Sequence, residues 1–278
     1  EPCRRNTFPA IALTAAYLRD VRKISLDEPL VICPVDPYVD DNFFAEFKTM
    51  AEMTGAANLI LLGIAPTYPS EKYGYIIPAT GEKISGVLEF KEKPDAETAA
   101  KYIAAGGLWN GGVFACKLSY ALEKSREILG TDSYAELLEN YAALPDISFD
   151  YAVVEHEKNI QVIRYSGDWK DVGTWNTLTE VMDSVGIGDV QFDAACQNSH
   201  VVNETDTPII AMGLKNIIIA ASPDGILVAD KNQSSYLKPL AEDWDRKATA
   251  TSMPPVNQPL LSMMLGFRSM LTHSAESY

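Results

Sequence analysis

Short uninterrupted apolar runs, set between segments of helical period, constrain this chain more than any other feature. Leu30-Val31-Ile32-Cys33 and residues 58–64 carry no polar alternation, so each reads as a strand buried on both faces. Residues 42–53 between them read as a helix. Ahead of the first run, Asn6-Thr7-Phe8-Pro9 looks like a helix start, because Asn or Thr can cap and Pro fits the first turn. Ile11, Ala15, Leu18 and Val21 then follow at helical spacing. Alternation of this kind predicts an α/β domain with a largely parallel sheet. Downstream, 73–78 and 86–91 read as strands around Ala79-Thr80-Gly81, and Asp95 caps a helix running to Ala105. A strand over 113–116, helices over 119–129 and 133–143, a strand over 160–164 and a helix from Thr174 to Met182 complete the pattern.

The pattern changes at Gly186-Ile187-Gly188. Beyond it lie short β-rich runs at 200–202, 217–221 and 226–229, the last two joined by the turn Ser222-Pro223-Asp224-Gly225. The chain therefore divides into an α/β domain over 1–188, a small β-rich domain over 189–244, and a tail over 245–278. Pro254, Pro255 and Pro259 interrupt that tail, which reads as flexible or docking. Exposed β-edges and the apolar 260–267 run permit a homodimer.

Composition narrows the partners. Lys plus Arg number 23 and Asp plus Glu 38, a formal charge of −15. Such a chain is a poor match for nucleic acid or an anionic membrane, although a metal or a few cations can still hold a phosphate locally. No apolar run approaches the length that crosses a bilayer. The four Cys lack CxxC spacing and the three His are scattered, which argues against a zinc ribbon or disulfide scaffold. Cys33 and Cys116 lie in apolar runs and read as buried thiols of a cytoplasmic protein.

Several constellations could carry chemistry, and each has a plain structural alternative. Asp36 follows a strand end, where open α/β sheets bind ligands, and is a suitable oxygen ligand for Mg2+; equally, it could cap the next helix. Trp169-Lys170-Asp171-Val172-Gly173-Thr174-Trp175 offers a second carboxylate before a helix, or an Asp that merely favours the helix dipole. In Phe90-Lys91-Glu92-Lys93-Pro94, alternation sends Lys91 and Lys93 to one face and Glu92 to the other. Lys suits phosphate and Glu accepts from sugar hydroxyls; the alternative is a solvated strand end. Trp109-Asn110-Gly111-Gly112 places an amide that donates and accepts directly before a strand, or a simple turn. Gly74 allows a ligand near backbone, or marks a bulge. Arg4-Arg5-Asn6-Thr7 precedes a helix N-terminus that attracts anions, or a capped surface helix.

In this order and spacing, these segments resemble the sugar-1-phosphate nucleotidyltransferases, most closely their bacterial mannose-1-phosphate guanylyltransferase branch. Glu1-Pro2, Arg5-Asn6-Thr7 with Pro9-Ala10-Ile11-Ala12, Pro34-Val35-Asp36, Gly74-Tyr75-Ile76, 90–94, 109–114 and 168–175 carry the likeness. Gly213-Leu214-Lys215-Asn216 and Leu227-Val228-Ala229-Asp230-Lys231 extend it to about residue 240. The resemblance implies a nucleotide-diphospho-sugar transferase fold, Rossmann-like with a mixed sheet, plus a small C-terminal β-helix-like domain. It implies transfer of GMP from GTP to mannose 1-phosphate, giving GDP-mannose and pyrophosphate. Asp36 and Asp171 match the Mg2+ carboxylates, Lys93 the phosphate contact, and Gly74, Glu92 and Asn110 the sugar-binding positions. Asn6 and Thr7 match the segment that holds the base. Two departures stand out. The family's first strand and its Gly-rich phosphate loop with an Arg fall ahead of Glu1, so the first domain is expected to lack a βαβ unit of roughly 30 or more residues. Pro37-Tyr38 also follows Asp36 where the family commonly has His. A non-catalytic nucleotide-sugar-binding or regulatory homologue, or an enzyme for another sugar or base, is the alternative.

Overall fold

The computed structural model describes residues 1–244 apart from 238 and 242; the tail expected over 245–278 lies outside the described residues. In chain order the elements are α1 (Thr7–Asp20), β1 (Pro29–Ile32), β2 (Pro37–Val39), α2 (Asp41–Met53), β3 (Leu59–Ile64), β4 (Tyr75–Pro78), β5 (Ile84–Lys91), α3 (Ala96–Ala104), β6 (Leu108–Lys117), α4 (Leu118–Leu129), α5 (Tyr134–Glu139), α6 (Phe149–Ala152) and β7 (Ile160–Tyr165). They continue as β8 (Trp169–Asp171), α7 (Trp175–Thr179), β9 (Gly186–Ile187), β10 (Val190–Phe192), β11 (His200–Asn203), β12 (Ile209–Ala211), β13 (Ile217–Ser222) and β14 (Gly225–Asp230). Two compact units result. One spans Glu1–Val35 and Val39–Asp168; the other takes Asp36–Tyr38 and the described residues from Trp169 onward.

The first unit is built on a six-stranded sheet ordered β1-β6-β3-β7-β5-β4. The sheet is mixed, not largely parallel. Only β3 and β7 run parallel; β6 folds back antiparallel to β3 and to β1, and β5 is antiparallel to β7 and to β4. Local pattern shows that a strand is buried on two faces but not which neighbour hydrogen-bonds to it. β3 meets the expectation fully, every residue being buried. β1 does not: Leu30, Val31 and Ile32 are only half-buried and Cys33 is exposed, because β1 pairs with β6 alone among the described strands. Cys116 is buried, as expected. Against one face lie α1 and α4–α6, whose Phe8, Ala12, Leu118, Leu137 and Phe149 join Leu59, Leu61, Leu108 and Val162 in one core. The strand expected over 113–116 is in fact β6, ten residues long, so Asn110 lies within it.

In the second unit, β11 pairs parallel with both β9 and β13, β10 pairs parallel with β12, and β13 forms a hairpin with β14 through the expected turn. Asn198 and Asn216 occupy matching positions two residues before paired strand residues, and both adopt left-handed backbone at φ 45 and 57. The Asn198 amide donates to Asn216 Oδ1 at 2.8 Å, and Asn216 donates to Asp230 Oδ2 at 2.9 Å. Trp175 of α7 inserts among Val202, Ile218 and Ala220 of this layer. The break in sequence pattern at 188 and the break in contacts after Asp168 therefore fall at different places.

Gly188 sits at φ +82, and a Cβ there would collide with the Asn203 carbonyl. Gly188→Ala is expected to destabilise this unit by about 2 kcal/mol or more, combining left-handed strain with a backbone clash. Urea unfolding followed by intrinsic tryptophan fluorescence, to which the buried Trp175 contributes, checks it; an unchanged midpoint contradicts the assignment.

Candidate functional site

In the first unit, four sequence-selected residues gather where β4, β5 and β6 meet. Asn110 donates its backbone N–H to Gly74 O at 2.8 Å, which fixes the two strands at this level. Below them, Trp109 donates its indole N–H to the buried Tyr75 hydroxyl at 3.0 Å, with the rings of Tyr68 and Tyr73 packed against it.

Glu92 is only 7% exposed. Its Oε1 accepts from Lys93 Nζ at 3.0 Å, while Oε2 is buried with no hydrogen-bond partner. A Cβ on Gly74 would come within 2.5 Å of that oxygen and 3.3 Å of the Asn110 Cβ, so glycine keeps the approach open. An unpartnered buried carboxylate oxygen carries a large desolvation cost, which a donor group from a ligand can remove.

The expectation that Glu92 and Lys93 point to opposite faces is wrong. β5 ends at Lys91, and Lys93 turns into left-handed backbone at φ 46, which breaks the alternation and swings its ammonium back onto Glu92. Lys91 instead pairs with Glu155 Oε1 at 3.1 Å, and the same oxygen accepts from Glu92 N at 3.0 Å.

Asp150, at the start of the short helix α6, completes the group and escaped the sequence analysis. Its Oδ1 accepts from Asn110 Nδ2 at 2.7 Å, while Asn110 Oδ1 accepts from Gly112 N at 3.1 Å. The amide is thus locked in one orientation, with one N–H and one lone pair left for a ligand. The only sequence signal was Ser148, whose side chain caps α6 by accepting from Tyr151 N. Thr7 bears on the same element: its hydroxyl oxygen accepts from Phe149 N at 2.8 Å. Asn6, in left-handed backbone, caps α1 through Thr7 N at 3.0 Å.

The second unit contains Asp36 and Asp171. Asp36 immediately precedes β2, Asp171 ends β8, and those two strands pair. Both carboxylates face Gly173: its N–H donates to Asp171 Oδ1 at 2.8 Å, and a Cβ there would lie 2.9 Å from that oxygen and 3.8 Å from Asp36 Oδ2. Neither carboxylate forms a salt bridge among the described residues. No set of three acidic, His or Cys ligands occurs among those residues either. Two carboxylates facing one glycine are oxygen donors of the kind Mg2+ takes, an ion that keeps several waters and draws remaining ligands from phosphates; they do not form a closed all-protein cage. Thr174 caps α7 as expected, in a capping box with Thr177, but the helix ends at Thr179 and not at Met182.

Three of these acids are pushed above their ordinary values. Glu92 rises through burial and then the Asp150 charge, tempered by Lys93. Asp150 rises through burial, tempered by the Asn110 hydrogen bond. Asp36 rises through loss of hydration around its carboxyl and then the Asp171 charge. For Lys93 burial works downward, but the Glu92 partner overrides it and the ammonium stays raised.

The chain belongs to the nucleotidyl transferase family, whose profile matches residues 1–186. Among individual relatives, the mannose-1-phosphate guanylyltransferase RfbM of Salmonella typhimurium is 32% identical, over 87% of this chain and 55% of its own length. The alginate biosynthesis protein AlgA of Pseudomonas putida is 31% identical, over 89% of this chain and 56% of its own. The chain thus spans about half the length of the curated relatives it matches. A crystal structure from Thermus thermophilus, described as a mannose-1-phosphate geranyltransferase, superposes with a TM-score of 0.72 at 29% identity, covering 88% of this chain and 76% of that one. It supports the nucleotide-diphospho-sugar transferase fold with its mixed sheet.

A raised carboxyl holds its proton more tightly in the folded chain than in the unfolded one. Its contribution to stability is complete below the ordinary carboxylate range and is lost as pH rises through the raised value. Glu92→Gln removes one such loss. Thermal melts of the ligand-free protein between about pH 4 and 8 are expected to show this variant gaining on the native chain as pH rises; parallel curves would contradict the burial of Glu92.

Proposed function

We propose that this chain carries the catalytic region of a mannose-1-phosphate guanylyltransferase, which transfers GMP from GTP to mannose 1-phosphate and releases pyrophosphate. The observation that carries the reading is Glu92 Oε2, a buried acceptor without a donor, beside the bare backbone of Gly74 and the locked amide of Asn110. Sugar hydroxyls are the donors such a group requires, and the family assignment and the guanylyltransferase relatives indicate which sugar phosphate to test.

In this reading Glu92 accepts from two adjacent hydroxyls of the mannose, and Asn110 offers its free N–H and lone pair to a further hydroxyl. Lys93, exposed and raised, supplies a point charge to phosphate. Asn6 and Thr7 flank the guanine of GTP, with Thr7 also holding α6 and hence Asp150. Asp36 and Asp171 hold Mg2+, which when bound neutralises phosphate charge. The β-rich second unit corresponds to the family's β-helix-like domain.

No general base is needed, because the sugar phosphate is ionised at neutral pH. Its oxygen forms a bond to the α-phosphorus of GTP in line as the α–β phosphoanhydride bond breaks and pyrophosphate leaves. The protein's part is to align two polyanions and offset their repulsion.

Asp171→Asn is expected to lower GTP-dependent formation of GDP-mannose by about 100-fold or more, the range seen when a principal electrostatic group is removed. Full retention of activity would overturn the reading. In a separate measurement, Asn110→Ala should weaken mannose 1-phosphate binding by about 10-fold in calorimetry, the value of one or two polar hydrogen bonds, and leave GDP binding alone. Equal losses for both ligands would place Asn110 elsewhere.

A further inference from the structure

The backbone of Asp171 is placed by β8, but its carboxylate is oriented by a turn that has little stability of its own. Asp171 Oδ1 is held by Gly173 N, and Gly173 is held by the start of α7. That helix has five residues, too few to sustain itself, since helices of this length do not persist without tertiary support. Its support comes from the β-rich layer by two routes. Trp175 is buried among Val202, Ile218 and Ala220. Asn176, in the first turn of α7, donates its backbone N–H to Ser234 Oγ at 3.2 Å.

Ser234 is 2% exposed, and its hydroxyl is committed on both sides, accepting from Asn176 and donating to Lys231 O at 2.7 Å. Lys231 is itself 3% exposed and donates from Nζ to Asn198 Oδ1 at 3.0 Å. Asn198 donates to Asn216, and Asn216 to Asp230. A continuous hydrogen-bonded chain therefore runs from the asparagines of the β-rich rungs, through Lys231 and Ser234, to the helix that begins beside Asp171. The ammonium at its centre is bonded to a neutral amide oxygen, a costly placement for a group that merely fills space. Lys170 and Glu180 add an ion pair at 2.8 Å across the same helix, but both are substantially exposed and contribute little.

We propose that Ser234 and Lys231 are positioning residues for the Asp36–Asp171 pair, and that the β-rich unit serves as the mount of the cation site. This rests on reading the pair as a divalent-cation site. Ser234 removes an otherwise unpaired N–H at the start of α7, and so fixes the backbone of Gly173 against which Asp171 is oriented. Lys231 fixes Ser234 by holding its own carbonyl in place through Asn198.

The test is Mn2+ binding to the whole protein with GDP-mannose present to supply the phosphate ligands, followed by water-proton relaxation. Three proteins are compared: native, Asp171→Asn and Ser234→Ala. Partners one step outside a metal's ligands are commonly worth about 10–100-fold in affinity, so Ser234, one step further out, is expected to cost about 3–10-fold. Ser234→Thr, which keeps the hydroxyl, should restore most of the loss. Circular dichroism confirms that each variant is folded at the assay temperature. Should Ser234→Ala not fold, Lys231→Met provides the same comparison. A folded Ser234→Ala protein with a lower melting temperature but native Mn2+ affinity would overturn the proposal, because the contact would then be structural only. Equal Mn2+ binding by native and Asp171→Asn proteins would show that the cation reading itself is wrong, a failure visible before Ser234 is considered.

Discussion

The fully buried strand β3 is the constraint on which the first unit depends. A strand with no wet face must satisfy its backbone N–H and C=O groups on both edges from within the protein. β6 supplies one edge, antiparallel, and β7 the other, parallel. That pairing sets the level of Asn110, which lies opposite Gly63 in the register. β4 then pairs with the start of β6, Tyr75 against Trp109, and this brings Gly74 to Asn110. The polar cluster is thus the consequence of a ladder whose first requirement is apolar burial. Glu92 arrives by the same route, because Tyr75 is also opposite Lys91, the last residue of β5.

What sits on this ladder is electrostatically unfavourable by itself. Glu92 and Asp150 are raised, each first by loss of hydration, and Glu92 next by a neighbouring carboxylate; in the second unit Asp36 is raised by the same two causes as Glu92. A chain selected only for stability would substitute neutral groups or add cations. Groups with perturbed acidity gather where a ligand is to complete the balance. The lowered acids show the contrast. Asp40 is held down by Tyr165, the Asp168 N–H and the Asn42 N–H, and Asp95 by the Thr98 N–H; both have their donors within the protein and need nothing more.

Much of this was legible in the sequence, and the parts that were not share a cause. Helices α1–α4 and the buried strand β3 follow from periodicity and caps, which are local. Asp36, Gly74, Glu92, Asn110 and Asp171 could be selected as a set, because their segments keep family spacing. Asp150 could not, since a Ser-Phe-Asp-Tyr sequence has no local chemistry until the topology brings it to Asn110. The parallel reading of the sheet failed for a related reason: burial determines composition, but direction is set by connections. Likewise strand alternation does not give the direction of the Lys93 ammonium, because one left-handed residue overrides it.

The two different breaks in the chain have the same origin. Periodicity changes at 188, where helix-like spacing gives way to short strands. Contacts change twenty residues earlier, at Asp168, because a periodic pattern records only what each residue needs from its own element. Trp175 looks like part of a helical segment, yet the surface that buries it belongs to β11 and β13. Asp36 looks like the end of a strand in the first unit, yet β2, which it opens, pairs with β8. Packing therefore assigns both candidate metal carboxylates to the β-rich unit, although the spacing of their sequences places them in the α/β one. A unit that composition alone marks as an appendage then has a physical role in the fold, since a five-residue helix following the Asp171–Gly173 turn needs something rigid to stand on.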